Sequence, residues 1–125
     1  MKTILLIDDD SRMLKLLKSY LDPIYKVYPM KGGNAALGFL QDNKPDLIIL
    51  DYMMPGVDGP HTLELIRDIK GCEDIPAMFL TGVTEKARMM ECLSKNPAGY
   101  LVKPVAREEL LLKVAEIFSD KKKLT

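Results

Sequence analysis

Three short apolar runs stop abruptly at polar residues: residues 4–7 before Asp8, 47–50 before Asp51 and 77–80 before Thr81. Each run is continuous rather than alternating, the pattern of strands buried on both faces of a parallel sheet. The segments between them have helical spacing. Met13, Leu14, Leu17 and Leu21 follow a cap at Asp10 or Ser11. Ala36, Leu37 and Leu40 form a second stripe after Gly32-Gly33, and Leu63, Ile66 and Ile69 a third that starts near Pro60, a residue suited to a first helical turn. Leu110, Val114 and Ile117 form the last. Residues 25–28 and 99–102 are weaker strand candidates. Residues 85–93 read as a helix that ends at Asn96-Pro97, because Asn tolerates the left-handed conformation of a helix end and Pro stops continuation.

Five strands thus alternate with five helices, without internal repeats or low-complexity tracts. Strict alternation at these lengths predicts an α/β fold with right-handed crossovers. The expected arrangement is a flavodoxin-like, doubly wound, five-stranded parallel sheet of order 2-1-3-4-5.

Composition narrows the picture only where it excludes something. With 125 residues, 47% of them hydrophobic, one core is expected. A single domain over residues 1–120 and a polar C-terminal tail at 121–125 follow. Eighteen basic residues balance 18 acidic ones, so no global field favours direct nucleic-acid binding or an anionic membrane. Cys72 and Cys92 lack the spacing of a zinc site or a disulfide framework, and half-buried reduced thiols are expected. The first apolar run is too short for a signal peptide or a spanning helix, which predicts a cytoplasmic protein.

In such a sheet, ligands bind beyond the carboxyl ends of the strands. The residues there are Asp8-Asp9, Asp51, Thr81 and Lys103. Three crowded carboxylates repel one another, and one lysine cannot balance them, so a divalent cation is implied. All-oxygen ligation from few protein groups suits Mg2+. A metal, a lysine and a hydroxyl around one carboxylate would serve phosphoryl transfer, with the carboxylate as nucleophile.

Four segments carry a family resemblance: Ile4-Leu5-Leu6-Ile7-Asp8-Asp9-Asp10; Asp46-Leu47-Ile48-Ile49-Leu50-Asp51, continuing through Tyr52-Met53-Met54-Pro55-Gly56-Val57-Asp58-Gly59; Phe79-Leu80-Thr81-Gly82; and Tyr100-Leu101-Val102-Lys103-Pro104. In order and spacing they resemble the signature blocks of response-regulator receiver domains of two-component signal transduction, including the chemotaxis regulators. The resemblance covers essentially the whole chain, and four blocks in register are far more specific than any one.

The resemblance implies that Asp51 is the phosphoacceptor, that Asp8 and Asp9 form the acidic pair, with Asp9 the more direct metal ligand, and that the backbone carbonyl of Met53 adds a metal contact. It implies that Thr81 is the switch hydroxyl, Lys103 the phosphoryl-pairing lysine, Tyr100 the aromatic switch, and the Lys103-Pro104 bond cis. Such a domain accepts its phosphoryl group from a sensor histidine kinase or a phosphotransfer protein. It then acts on a downstream protein or an output domain through the face formed by its fourth helix, fifth strand and fifth helix. It promotes only its own phosphorylation and dephosphorylation and is not an enzyme on an external substrate. The chain is either a stand-alone regulator or an N-terminal module of a longer one.

Gly82 stands where many receivers carry Ala, Asn96-Pro97-Ala98-Gly99 replaces a commoner Gly-Ala spacing, and Ala106 occupies a cap position, leaving Glu108 and Glu109 to meet the dipole of the last helix. Met53 and Val83 fall at positions that tune self-hydrolysis in the family. Neither side chain can orient water, which predicts a long-lived acyl phosphate. Two other functions compete. A haloacid-dehalogenase-like phosphatase would use Asp8 as nucleophile and Asp10 as acid, but leaves Asp51 unexplained and lacks a late acidic pair. A binding-only receiver would not need phosphorylation, yet has no use for a costly carboxylate cluster. Flavin binding is opposed by the acidic turn after the first strand. His61 reads as an exposed surface residue, Met89 and Met90 as a pair of which one faces inward, and Lys121, Lys122 and Lys123 as a solvated tail.

Overall fold

The continuous apolar runs become strands whose side chains separate by parity. In the computed structural model, which describes residues 1–123 and side chains through Asp120, five strands form one parallel sheet: β1 (Thr3–Ile7), β2 (Lys26–Met30), β3 (Leu47–Leu50), β4 (Ala77–Thr81) and β5 (Gly99–Val102). Their order is β2-β1-β3-β4-β5, as the pattern predicts. Five helices alternate with them: α1 (Ser11–Leu21), α2 (Gly33–Leu40), α3 (Gly59–Arg67), α4 (Lys86–Leu93) and α5 (Arg107–Lys123). The side chains at 121–125, expected to form the polar tail, lie outside the described residues.

Successive strand residues point to opposite faces. Ile4, Leu6, Leu47, Ile49, Met78 and Leu80 therefore meet Leu14, Leu17 and Leu21 of α1 and Leu110, Val114 and Ile117 of α5. Leu5, Ile7, Ile48, Leu50, Ala77 and Phe79 meet Ala36 and Leu40 of α2, Leu63 and Ile66 of α3 and Cys92 of α4. Removing each such aliphatic side chain from water contributes roughly 1.5–3 kcal/mol. A run with no alternation is thus what a strand with helices on both faces requires.

Register sets the functional edge. Ile7 of β1 lies beside Leu50 of β3, and the Asp51 amide donates to the Ile7 carbonyl at 3.1 Å. Asp8 and Asp51 therefore leave the sheet side by side. The opposite end is clamped, since the Thr3 amide and hydroxyl both donate to Asp46 Oδ2 at 2.8 and 3.1 Å.

Several local expectations shift. The second strand runs later than residues 25–28 and includes Pro29. It is an edge strand, in which Lys26 and Met30 bond toward β1, so the intervening proline turns its donor-less nitrogen outward. Ile69 falls beyond α3, where the helix yields to a turn leading to Gly71, whose φ is +93°. Both cysteines are free and fully buried rather than half-buried, because α4 and the loop after α3 both close over the sheet. Asn96 has φ +54° just past α4 and Lys103-Pro104 is cis, both as anticipated.

Among the glycines, Gly59 sits in the tightest surroundings. A Cβ there would sit 2.2 Å from the Asp51 carbonyl oxygen, and the Gly59 amide donates to the Tyr52 carbonyl at 2.9 Å. Asp58 caps α3 by accepting from the His61 amide at 2.9 Å, so Asp58-Gly59-Pro60 starts the helix against the end of β3.

Gly59→Ala is expected to lower stability by about 1–3 kcal/mol through overpacking against backbone. Ile49→Ala should cost about 2–5 kcal/mol, while Leu112→Ala, at a position 71% exposed, should stay within about 0.5 kcal/mol. Urea unfolding of the three variants measures all of these.

Candidate functional site

Strand ends supply every group at the C-terminal edge. Asp8 follows β1, Asp51 follows β3, Thr81 closes β4, and Lys103 follows β5. The Lys103 ammonium donates to Asp8 Oδ2 at 2.5 Å and to Asp51 Oδ2 at 2.9 Å. All three are withdrawn from solvent: Asp8 is 2% exposed, Asp51 7%, and the Lys103 side chain 15%. Burial raises the Asp8 pKa and outweighs the Lys103 hydrogen bond that opposes it. Burial pulls Lys103 down, but the hydrogen bonds it donates to Asp8 and Asp51 more than compensate, and its pKa is raised. The lysine is thus held as a cation between its two partners.

The expected cluster forms. Asp8, Asp9 and Asp51 each present a carboxylate oxygen, and these atoms lie within 4.8 Å of one another. Asp10 does not join them. Its Oδ1 accepts from the Arg12 and Met13 amides at 2.9 and 3.4 Å and caps α1, so the acidic tripeptide divides between helix capping and the site. The phosphatase scheme loses its acid by this, since Asp10 is turned into the helix. Three carboxylates face one ammonium, an excess of two negative charges that suits a divalent cation, and a hard, all-oxygen donor set of this kind fits Mg2+.

Asp51 also borders a cavity of about 500 Å³ lined by Met53, Thr81, Gly82, Val83, Thr84, Glu85, Arg88 and Lys103. Its Oδ1 receives a long contact of 3.4 Å from the Met53 amide. The carboxylate is therefore shared between the acidic cluster and an open chamber large enough for a phosphoryl group and its donor.

Thr81 and Tyr100 meet at one residue. Thr81 Oγ1 accepts from the Val83 amide at 3.3 Å, and the Tyr100 hydroxyl donates to the Val83 carbonyl at 2.7 Å. Tyr100 packs beside Phe79, its neighbour across β4 and β5, with ring centroids 6.4 Å apart. Tyr100 does not line the chamber; it is bonded to the carbonyl of the same residue whose amide Thr81 holds.

The residues around Tyr52 escaped the sequence reading. Its hydroxyl donates to Glu91 Oε1 of α4 at 2.5 Å, which pushes the phenol up to about 12. Arg88 lies over the Tyr52 ring at 5.6 Å from its centroid. Lys95, beyond α4, pairs with Glu64 of α3. No motif spacing signals these contacts, because they join residues of different elements. The Asp58 cap was legible, since Asp followed by Gly-Pro is a helix-start signature. Met90 is exposed and Met89 half-buried, so the pair divides as expected. Cys92 is shut into the core, where burial raises its thiol to about 11 and removes it as a nucleophile.

These features define a doubly wound α/β domain with a metal-competent acidic site at its C-terminal edge. The family profile for the response regulator receiver domain matches residues 4–115, and the chain belongs to that family. It is 34% identical over 112 residues to the transcriptional regulatory protein ResD of Bacillus subtilis, an alignment covering 89% of this chain and 45% of ResD. It superposes on the chemotaxis response regulator CheY4 of Vibrio cholerae with TM-score 0.86 at 28% identity, covering 94% of this chain and 98% of that one. A CheY-like receiver domain protein from Methanospirillum hungatei shares the fold with TM-score 0.92 at 24% identity, over 100% of this chain and 99% of its own. The chain spans 15% of the length of the rice response regulator-like protein PRR37 that it also matches. Receiver domains are signalling phosphoacceptor modules of two-component systems and pair with sensor histidine kinases. Among the described residues no helix is long and apolar enough to cross a membrane.

The single histidine offers a clean probe of the α3 start. His61 Nδ1 lies 2.8 Å from Asp58 Oδ1, and that hydrogen bond raises the His61 pKa above 6.5. A raised folded-state value means that the pair stabilises fully below the unfolded value and fades as pH rises through the folded one. NMR titration of the His61 ring is expected to show a midpoint above 6.5 that falls toward the unperturbed value in Asp58→Asn.

Proposed function

We propose that Asp51 accepts a phosphoryl group from a phosphohistidine of a sensor kinase or phosphotransfer protein in a Mg2+-dependent step, and that Thr81 and Tyr100 convert the new charge into a change of surface. The observation that carries this is Lys103 bridging Asp8 and Asp51 beside a chamber lined by Thr81. Asp8, Asp9, Asp51 and the Met53 carbonyl would hold the metal, which when bound offsets charge on the phosphoryl oxygens.

In the transfer, an Asp51 carboxylate oxygen attacks phosphorus from the chamber side. The P–N bond of the donor breaks, and the imidazole leaves with the electron pair and takes up a proton. Lys103, already 2.9 Å from Asp51 Oδ2, needs only to shift its ammonium along that carboxylate to meet a phosphoryl oxygen. Thr81 Oγ1 accepts from the Val83 amide, which leaves its own proton free to donate to another. As Thr81 turns toward the phosphoryl group its hold on Val83 loosens. The Tyr100 hydroxyl, bonded to the Val83 carbonyl, then follows the loop. The affected surface is α4, β5 and α5, where Met90, Leu93, Val102 and Leu112 stand exposed. A downstream protein or an output domain would read this face. The domain has no external substrate, acts in the cytoplasm, and binds neither nucleic acid nor membrane directly.

Two results test this function. Mass spectrometry after incubation with acetyl phosphate and Mg2+ should find a hydroxylamine-labile phosphate on Asp51 that vanishes without metal and in Asp51→Asn. Label on Asp8 would move the case to a phosphatase, and no label from either acetyl phosphate or a phosphorylated kinase to a binding-only domain. Met53 and Val83 both line the chamber and offer no group to orient water, so the acyl phosphate should persist for minutes or longer after donor removal. A lifetime of seconds overturns that part.

A further inference from the structure

Arg88 lines the same chamber as Asp51, Thr81 and Lys103, from the first turn of α4. The chamber's charged lining consists of two acids, Asp51 and Glu85, and two cations, Lys103 and Arg88. Lys103 is committed to two buried carboxylates. Arg88 is not: its Nε lies 3.6 Å from a solvent-facing Glu85 carboxylate, a surface pair of little energetic weight.

The guanidinium is nevertheless held in place. Its Nη1 contacts Met53 Sδ at 3.6 Å and it lies over the face of Tyr52. Tyr52 is in turn fixed by its hydroxyl bond to Glu91, one helical turn beyond Arg88. Tyr52 and Met53 are the two residues following Asp51, so the packing that positions Arg88 is built on the phosphoacceptor's own loop. A planar cation with several donors, held at a chamber mouth by soft contacts, can swing to meet an anion at small cost.

We infer that Arg88 is a positioning residue for the incoming phosphoryl group, favouring donors that carry two net negative charges. This rests on Asp51 being the phosphoacceptor. With a small acyl phosphate the Asp51 oxygen forms the new P–O bond, the bond from phosphorus to the acyl oxygen breaks, and the carboxylate leaves with the electron pair. Arg88 makes or breaks no bond; it concentrates and orients the donor as the anion enters.

The test follows labelling of Asp51 in the full chain with Mg2+, using acetyl phosphate and phosphoramidate, which carries one negative charge fewer near neutrality. Arg88→Ala should raise the half-saturating concentration of acetyl phosphate about fivefold, the effect of one lost surface charge contact, with little change in limiting rate. Phosphoramidate should be less affected, Arg88→Lys should restore most of the loss, and added salt should erase much of the wild-type advantage. Unchanged acetyl phosphate kinetics in Arg88→Ala overturn the inference. So does an equal loss with both donors that Lys fails to rescue, which marks a purely structural role. A wild-type chain that labels elsewhere or not at all overturns the assignment of Asp51 itself, a separate outcome visible before any Arg88 variant is compared.

Discussion

One ammonium between two buried carboxylates governs the architecture of this domain. Asp8 and Asp51 leave adjacent strands at the same level because β1 and β3 pair in register, and without Lys103 they would confront each other nearly dry. Removing one partner from such a buried group leaves an uncompensated charge, which costs far more than a surface pair returns. The lysine reaches them only because β5 lies next to β4 and the Lys103 amide is anchored to the Thr81 carbonyl at 2.9 Å. Strand order, register and site electrostatics are thus one constraint seen at three scales.

The same constraint leaves the site poised. Even with Lys103 in place the clustered carboxylates of Asp8, Asp9 and Asp51 outnumber their single cation, the electrostatic condition under which a divalent ion is favoured. The polar hydroxyls nearby are arranged differently. Thr81 accepts from the Val83 amide and Tyr100 donates to the Val83 carbonyl, which links a buried hydroxyl at the site to an aromatic ring at the edge of the sheet through a single loop residue. The α4 helix beyond that loop has a polar tie from Glu91 to Tyr52, with a second just past its end from Lys95 to Glu64, and Cys92 is its one fully buried side chain. A helix with so small an apolar anchor has few buried contacts to hold it against the sheet.

Much of this was legible in the chain because its signals are local. A continuous apolar run cannot be reconciled with a half-solvated strand, so residues 4–7, 47–50 and 77–80 specified a sheet covered on both faces. The polar residue ending each run marked the sheet edge at which Asp8, Asp51, Thr81 and Lys103 gather. Where local signals were weak, boundaries moved: β2 extended through Pro29 because an edge strand tolerates a missing donor on its outer side, and Ile69 dropped out of α3 because the chain turns at Gly71.

The sequence by itself determined the fold class and the set of strand-end groups, because backbone periodicity and abrupt polarity changes act over a few residues, while the strand order was expected only by analogy with flavodoxin-like sheets. Only the tertiary structure decided how the acidic tripeptide divides, with Asp10 spent on a helix cap and Asp8 turned to Lys103. It also decided that both cysteines are sealed in the core and that Arg88 stands at the mouth of the chamber over Tyr52. Those outcomes depend on where α4 and the loop after β3 come to rest against each other, a balance of packing and polar contacts between distant segments that no spacing along the chain encodes.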